Sequence, residues 1–255
     1  MTRIIALANQ KGGVGKTTTA VNVAAILAEA DQRVLLIDLD PQCNASSGLG
    51  VRAADRAHST YGLLAGEASF ADVTSPTMLD GLSLVPSSPD LAAADIELAG
   101  AKGREHLLFR TLKLVDPAYD FVFIDCPPSL GILTINALVA SHEVLVPVQA
   151  EYYALEGLTQ LLDTIGLVQQ RLNPGLRMLG VLLTMIDGRT NLSREVVAEV
   201  RAHLGPAVFS AVVPRNVRLS EAPSHSLPIC RYDAGCAGCD AYFEVAKEVV
   251  SRGIQ

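Results

Sequence analysis

The chain alternates short runs of apolar residues with longer segments in which apolar residues recur every three or four positions. The short runs have the length of buried strands, and the periodic segments have the spacing of helices that cover a sheet. Strands are predicted at 4–8, 33–38, 82–86, 121–125, 143–148, 178–184 and 208–213. Helices are predicted at 17–30, 60–64, 105–115, 155–172, 191–204 and 241–251, with another that opens at 87–90. This alternation predicts an α/β fold: a single doubly wound, mostly parallel sheet flanked by helices, in one domain over residues 1–255.

A glycine-rich segment connects the first predicted strand to the first predicted helix: Lys11-Gly12-Gly13-Val14-Gly15-Lys16-Thr17-Thr18. Glycine lacks a Cβ, so the backbone N–H groups of such a loop can approach phosphate oxygens closely. The helix that follows directs the positive end of its dipole at the same anion. In a loop of this type Lys16 contacts the β- and γ-phosphates, and the Thr17 hydroxyl binds Mg²⁺. The segment therefore predicts a nucleoside triphosphate as the ligand.

Two aspartates follow predicted strands, at the edge where open α/β sheets bind ligands. Asp40 comes just after the second strand, and Asp125 ends the strand at 121–125, before Cys126-Pro127-Pro128-Ser129. Four apolar residues and an aspartate have the form of a Walker B strand, whose carboxylate holds Mg²⁺ through water. Each pattern alone also fits an aspartate that caps a turn. Together with the glycine loop, the strand ending in Asp125 predicts a metal site.

These motifs resemble those of the ParA/MinD ATPases. Lys11 matches that family's deviant Walker A motif. Gln10 stands where the ordinary phosphate loop has its first glycine. In the family this early lysine contacts the nucleotide of the partner subunit. The segment Asp38-Leu39-Asp40-Pro41-Gln42 resembles the switch segment of the ParA/Soj branch, whose second aspartate positions the attacking water. The resemblance implies an ATPase with Lys11, Lys16 and Asp40 as catalytic residues; Cys43 stands where the branch usually has glycine.

The polar segment 214–224 is bounded by prolines and is predicted to be a loop after the last strand. It resembles a segment of chromosomal ParA/Soj proteins that places Pro214 and Asn216 against the adenine base. By the same resemblance, Arg189 and Arg218 match arginines on the DNA-binding surface of the family's dimer. Arginines that contact phosphates without contacting base edges bind DNA irrespective of sequence and in a salt-sensitive manner.

Composition and charge narrow the class of protein. The net charge is −7 at pH 7, which argues against a protein that coats nucleic acid with its whole surface but allows a local basic patch. No apolar run approaches the ~20 residues of a membrane span, and the start of the chain has no signal-peptide pattern. A cytoplasmic protein is expected, nucleoid-associated in its ATP state by the resemblance.

The cysteines are five, an odd number, and unevenly spread, so a disulfide framework is not expected. Cys236-Ala237-Gly238-Cys239 is a C-x-x-C motif, but a zinc site needs four ligands and no second pair of ligands accompanies it. By the resemblance, Cys236 stands where the family usually has serine and Cys239 where it usually has alanine. We therefore favour the interpretation that both are small substitutes over a metal or redox role.

The resemblance implies a nucleotide switch. ATP and Mg²⁺ would join two subunits as an ATP-dependent homodimer that binds double-stranded DNA nonspecifically. Hydrolysis, stimulated by a ParB-type centromere-binding protein, would then release the DNA. A MinD-like membrane-associated site-selection ATPase stays open as an alternative, although the helix predicted at 241–251 lacks the basic face of a membrane-surface helix, so no membrane is expected. An iron–sulfur reductase of the nitrogenase iron-protein type also shares the loop, but it needs cysteines that bridge a cluster between subunits.

Overall fold

A computed structural model describes residues 2–55, 57–113, 118–151 and 154–253. The strands are β1 (Arg3–Leu7), β2 (Val34–Asp38), β3 (Ser75–Pro76), β4 (Leu82–Val85), β5 (Phe121–Asp125), β6 (Glu143–Gln149), β7 (Arg177–Ile186) and β8 (Val208–Pro214). The α-helices are α1 (Lys16–Glu29), α2 (Asn44–Gly48), α3 (Thr60–Ala65), α4 (Phe70–Val73), α5 (Ala94–Glu97), α6 (Leu107–Leu112), α7 (Ile132–Ala140), α8 (Ala154–Arg171), α9 (Asn191–Leu204), α10 (Val217–Glu221), α11 (Ile229–Tyr232) and α12 (Ala237–Ser251). Short 3-10 turns lie at Pro89–Ala93, Arg104–His106, Gly205–Ala207 and Ala222–His225.

All eight strands lie in one sheet, in the order β3-β4-β2-β5-β1-β6-β7-β8. Every neighbouring pair is parallel except β3 and β4, which are antiparallel. Strands β2 to β5 lie on one side of β1 and strands β6 to β8 lie on the other, so the direction in which strands are added reverses beside β1. In open α/β sheets the crevice at the carboxyl ends of such strands is the ligand site. The predicted α/β class is confirmed; that residues 1–255 form a single domain stays a prediction.

The two faces of the sheet are covered by different helices, because successive side chains of a strand point to opposite faces. In β5, Val122 and Ile124 pack with the hydrophobic cluster that contains residues of α7 and α8. Phe121 and Phe123 belong to a second cluster, which includes residues of α1 and α12. All residues of β2 and β5 are buried, as expected for central parallel strands.

Two short polar segments are helical. Residues 217–221, expected to be part of a loop, form α10, and residues 44–48, for which no helix was predicted, form α2. Helix α2 begins beside the sheet because the backbone N–H and hydroxyl of Ser46 both donate to the Asp38 carboxylate. Helix α10 begins where the Asn216 side chain caps its first turn by accepting from the N–H of Arg218. Polar composition alone did not distinguish these short capped helices from loops.

Other differences are in helix boundaries. Helix α7 was not predicted, and α12 begins at Ala237 rather than at residue 241. The helix predicted at 105–115 is a 3-10 turn followed by α6, and residues 114–115 of that prediction lie outside the described part of the chain. Helix α12 docks on the sheet as expected, with Tyr242, Val245 and Val249 buried.

Candidate nucleotide-binding site

The glycine loop between β1 and α1 has the conformation that its glycines make possible. Gly13 and Gly15 have φ values of +73° and +88°, in the left-handed region that other residues rarely adopt. Gly15 is also the N-cap of α1, so no side chain caps this helix, and its first turn contains no acidic residue. The first N–H groups of α1 therefore have neither a capping side chain nor a local carboxylate, as an anion site requires.

Hydrogen bonds from neighbouring strands fix the loop. The Thr184 hydroxyl of β7 donates to the Val14 carbonyl at 2.8 Å, and the Val14 side chain is buried. The Asn9 amide donates to the Pro147 carbonyl of β6 at 2.7 Å, while its oxygen accepts from the Lys11 N–H at 2.9 Å. The loop is thus held in place by β6 and β7, which lie on the opposite side of β1 from β5 and β2.

Lys16 is buried at the start of α1, with 6% of its surface exposed. Its ammonium donates to the Lys11 carbonyl at 3.3 Å. Burial lowers the pKa of Lys16, and the nearby Asp125 acts in the opposite direction. A buried ammonium that spans the loop is a suitable group for contacting phosphate oxygens.

Two buried aspartates lie side by side at the carboxyl ends of neighbouring strands. Asp38 of β2 and Asp125 of β5 are register partners, and both are fully buried. Asp38 accepts hydrogen bonds from the Ser46 N–H at 2.8 Å and the Ser46 hydroxyl at 2.6 Å. Even so, burial raises the pKa of Asp38 to about 6. Burial, with the charge of Asp38, raises the pKa of Asp125 well above its ordinary value, although Thr17 and Lys16 act in the opposite direction.

The Asp125 carboxylate fits a site for Mg²⁺. Neither of its oxygens has a hydrogen bond of standard geometry among the described residues, although both are buried. Thr17, the other predicted metal ligand, lines the cleft at the start of α1. Within the described ranges no group of three or more histidines, cysteines or acidic residues is arranged to hold a metal ion. A site with few protein ligands suits Mg²⁺, which keeps several waters and takes the remaining oxygens from phosphates.

Asp40 lies at the edge of the same cleft and is nearly buried. Its carboxylate accepts from the Gln42 N–H at 3.0 Å, and its carbonyl accepts from the Ser87 hydroxyl at 2.7 Å. The next turn contains Cys43, whose φ of +55° is in the left-handed region. Cys43, which replaces the glycine usual in the family, therefore has a backbone conformation that favours glycine.

The structure adds one residue that the sequence analysis did not identify. Glu151, just after β6, pairs with the ammonium of Lys11 at 2.5 Å. Its second carboxylate oxygen accepts from the Gln149 amide at 2.6 Å. Lys11 is separated from Glu151 by 140 positions in the chain, and no local pattern marks the pair. The Lys11 side chain is therefore held by the end of β6, and the Lys11 carbonyl accepts from Lys16.

The loop and the switch segment border a cleft of about 570 Å³. Met185 and Leu219 also line the cleft, and no sequence pattern marked them as site residues. Pro214 and Asn216 are not among the lining residues; from that part of the chain, the cleft is lined by Leu219, Ala222, Pro223 and Leu227. A contact of Pro214 and Asn216 with the adenine base stays a prediction.

The two arginines predicted to bind DNA are exposed, and both follow strands at the same edge of the sheet. Arg189 lies after β7 and pairs with Asp187 at 2.8 Å, and this contact holds the pKa of Asp187 at about 2. Arg218 lies after β8 and pairs with Glu221 at 2.9 Å and with Asp233 at 3.3 Å. Exposed pairs of this kind are worth little, so the arginines can exchange them for phosphate at small cost.

The parallel sheet, the glycine loop at its switch point and the buried aspartate at the end of β5 define a P-loop NTPase fold of the deviant Walker A type. Comparison with known proteins agrees. Residues 2–178 match the family described as AAA domain (AAA_31).

The sporulation initiation inhibitor protein Soj of Bacillus subtilis is 53% identical, over 99% of this chain and 100% of its own length. The chromosome partitioning protein ParA of Myxococcus xanthus is 51% identical, over 98% of this chain and 88% of its own length. The chain belongs to the ParA/Soj family of chromosome-partitioning ATPases.

Solved structures have the same fold. Cobyrinic acid a,c-diamide synthase from Mycobacterium smegmatis, with bound ADP and magnesium, is 40% identical with a TM-score of 0.84, covering 97% of this chain and 93% of that one. The septum site-determining protein MinD from Pyrococcus horikoshii, complexed with Mg-ADP, is 26% identical with a TM-score of 0.78, covering 98% and 96%. No helix among the described residues is long and apolar enough to cross a membrane.

Proposed function

We propose that this protein is an ATP-hydrolysing partitioning protein whose ATP-bound homodimer binds DNA without sequence preference. Two neighbouring features carry the proposal: a phosphate loop without a capping side chain, and a buried Asp125 whose oxygens have no hydrogen bond of standard geometry in the described structure. Relatives of similar length at about 50% identity bear the names Soj and ParA, which supports the partitioning role. Solved relatives that contain ADP and magnesium support the ligand assignment.

Each residue of the site has a role in the proposed reaction. The loop amides of residues 12–18 and the ammonium of Lys16 bind the phosphates. Thr17 and, through water, Asp125 hold Mg²⁺, which neutralises charge on the phosphate oxygens when bound. Asp40 orients the attacking water. Pro214 and Asn216 contact the adenine base, as the family resemblance implies.

The dimer depends on Lys11. Its side chain is 41% exposed and its only ion pair in the described structure is with Glu151, itself 46% exposed. A lysine at the rim of the cleft can exchange this carboxylate for the phosphate of a second subunit, which presents more negative charge. ATP then joins two subunits face to face, with Lys11 of each neutralising charge in the other.

DNA binding follows from dimerisation. One subunit presents Arg189 and Arg218 at one edge of the sheet, each paired with acidic groups. Two subunits together present twice as many arginines, and the second contact with one duplex is effectively intramolecular. A ParB-type partner stimulates hydrolysis, which separates the subunits and releases the DNA. The protein is therefore cytoplasmic and nucleoid-associated while ATP is bound.

The first test is binding to a random-sequence duplex with ATP, ADP or no nucleotide, over a range of salt concentrations. Binding should require ATP and weaken steeply with salt, because phosphate contacts release counterions. Arg189→Ala and Arg218→Ala should each weaken it. Arg33→Ala is the matched control. Arg33 is also an exposed arginine paired with an aspartate, but the pair lies at the amino ends of β2 and β5, away from the ends of the strands that Arg189 and Arg218 follow. An ATP-bound dimer that ignores DNA would refute the proposal, and pelleting with liposomes would then test the membrane alternative.

Two variants separate the steps of the cycle. Lys16→Ala should abolish ATP binding, whereas Asp40→Ala should bind ATP and DNA but turn over slowly, and so accumulate as a DNA-bound dimer. Rapid ATP turnover in Asp40→Ala would remove the role assigned to that residue. Addition of a ParB-type protein should raise turnover in the wild type and leave Asp40→Ala slow.

A further inference from the structure

The C-x-x-C motif forms the first turn of α12. Cys236 is the N-cap of this 15-residue helix, with φ of −85° and ψ of 152°, and Cys239 is three residues later. The Cys239 N–H donates to the Cys236 carbonyl at 2.9 Å and lies 3.4 Å from the Cys236 sulfur. A turn closed in this way brings its first and fourth Cα atoms to within about 7 Å, and disulfides need about 4.4–6.8 Å.

The Cys236 side chain turns back over the first turn of α12. In an N-terminal capping arrangement the N-cap side chain points to the backbone of the third helical residue, and the side chain of that residue points back. The contact of the Cys236 sulfur with the Cys239 N–H is the first half of this arrangement. The Cys236 sulfur is thus held over the turn that contains Cys239.

We propose that Cys236 and Cys239 are a redox-modification site, a dithiol that forms a reversible intrachain disulfide by exchange with low-molecular-weight disulfides such as oxidised glutathione. The Cys236 thiolate attacks one sulfur of the disulfide, which gives a mixed disulfide and releases one thiolate. Cys239 loses its proton to water and attacks the Cys236 sulfur, which releases the second thiolate. Two thiols of the protein are oxidised and one disulfide is reduced to two thiols, so electrons and protons balance.

The neighbourhood assigns an order to these steps. Cys236 is partly exposed, whereas Cys239 and Cys230 are buried. Burial raises the pKa of the Cys239 thiol to about 11 and that of Cys230 to about 12. Attack from solvent therefore begins at Cys236, and the buried Cys239 is the resolving thiol.

The motif also adjoins the nucleotide cleft. A Cβ at Gly238 would lie 2.8 Å from the Leu219 side chain, so the first turn of α12 packs directly against a residue that lines the cleft. The N–H of Cys236 donates to the Asp233 carbonyl at 3.3 Å, and the Asp233 carboxylate pairs with Arg218. The dithiol is therefore close to both the cleft and one of the candidate DNA-binding arginines.

The test is peptide mapping of the folded, full-length protein after incubation with oxidised glutathione. Free thiols are blocked with iodoacetamide, and the protein is digested with trypsin without reduction. Cleavage at Arg231 and Lys247 places Cys236 and Cys239 in one peptide, 232–247, and Cys230 in another, 219–231. We expect peptide 232–247 to be unalkylated and about 2 Da lighter than its reduced form, and to return to the dithiol with dithiothreitol.

Three variants serve as tests and controls. Cys236→Ser keeps a good N-cap residue and Cys239→Ala keeps a small buried one, so both should fold and both should lose the internal disulfide. Cys43→Ser removes the other partly exposed thiol and should leave the disulfide unchanged. A stable mixed disulfide at Cys236 would overturn the proposal. A crosslink between peptides 219–231 and 232–247, which would assign the pairing to Cys230, would also overturn it.

Discussion

Replacing Asp125 with asparagine should stabilise the nucleotide-free protein and abolish its response to Mg²⁺. Asp125 is fully buried, has no hydrogen bond of standard geometry in the described structure, and lies beside Asp38 on the neighbouring strand. Asparagine has nearly the same shape, and a buried amide and a buried neutral carboxyl lose comparable hydration. The wild type and Asp125→Asn should therefore differ in unfolding free energy by the cost of burying a charge at residue 125, or of protonating the carboxylate there.

The magnitude has an upper and a lower bound. At pH 7 the penalty cannot exceed that of protonating a carboxyl of ordinary pKa 3.8, which is about 4 kcal/mol at 1.36 kcal/mol per pH unit. Adjacent strands are about 4.8 Å apart, and two carboxylates at that distance repel by about 3 kcal/mol at an effective dielectric constant of 20. Lys16 offsets part of this repulsion. We expect a gain of about 1–4 kcal/mol, with roughly 2–4 °C in Tm for each kcal/mol.

Urea unfolding in EDTA at pH 8, 7, 6 and 5 measures the effect. A carboxyl whose pKa is raised in the folded state binds protons more tightly there than in the unfolded chain. The wild type should therefore gain stability as the pH falls from 8 towards 5. Asp38, with a pKa of about 6, contributes within this window and is still present in the variant. The advantage of Asp125→Asn should accordingly be largest at pH 8 and shrink towards pH 5.

Asp120→Asn is the control, because its pKa is shifted in the opposite direction. Hydrogen bonds from Arg33 hold the pKa of the exposed Asp120 at about 2, so its contribution is present above pH 4 and is lost as the pH falls towards 2. Asp120→Asn should not be more stable than the wild type at any pH from 5 to 8. An Asp125→Asn protein that is less stable than the wild type at pH 7, or whose advantage does not depend on pH, would refute the reasoning.

Three further predictions concern contacts elsewhere in the molecule. Glu151→Gln releases Lys11 from a half-exposed ion pair worth at most about 1 kcal/mol. ATP-dependent dimerisation in sedimentation should therefore strengthen, by about two- to fivefold for each of the two pairs that a dimer breaks; a weaker dimer would contradict this. Gly180→Ala should destabilise the protein by about 1–3 kcal/mol in urea unfolding, because a Cβ there would lie 2.6 Å from a backbone oxygen. Unchanged stability would contradict this reasoning and show that the backbone around residue 180 can shift. Tyr242→Phe removes a buried hydrogen bond of 3.1 Å to Thr19. It should lower the free energy of unfolding in urea by about 1 kcal/mol; a more stable variant would show that this hydrogen bond does not stabilise the fold.

The sequence by itself determined the elements whose signals are local. The strand 121–125 and the helix 191–204 have the predicted boundaries, because a bulky apolar run and a capped amphipathic segment are complete within a few residues. The phosphate loop was equally evident, since its glycines supply the positive φ values that the cradle uses. Family resemblance then gave roles to residues such as Asp40 that composition alone would have left as turn residues.

Only the tertiary structure decided which distant groups meet. Insertion of β5 between β1 and β2 makes Asp38 and Asp125 neighbours, although 87 positions separate them in the chain. The same packing brings Glu151 to Lys11 and makes α2 a helix anchored on Asp38. Side-chain periodicity records which face of an element is buried, but the strand order, and therefore the partner of each buried charge, is set by how all the elements pack together.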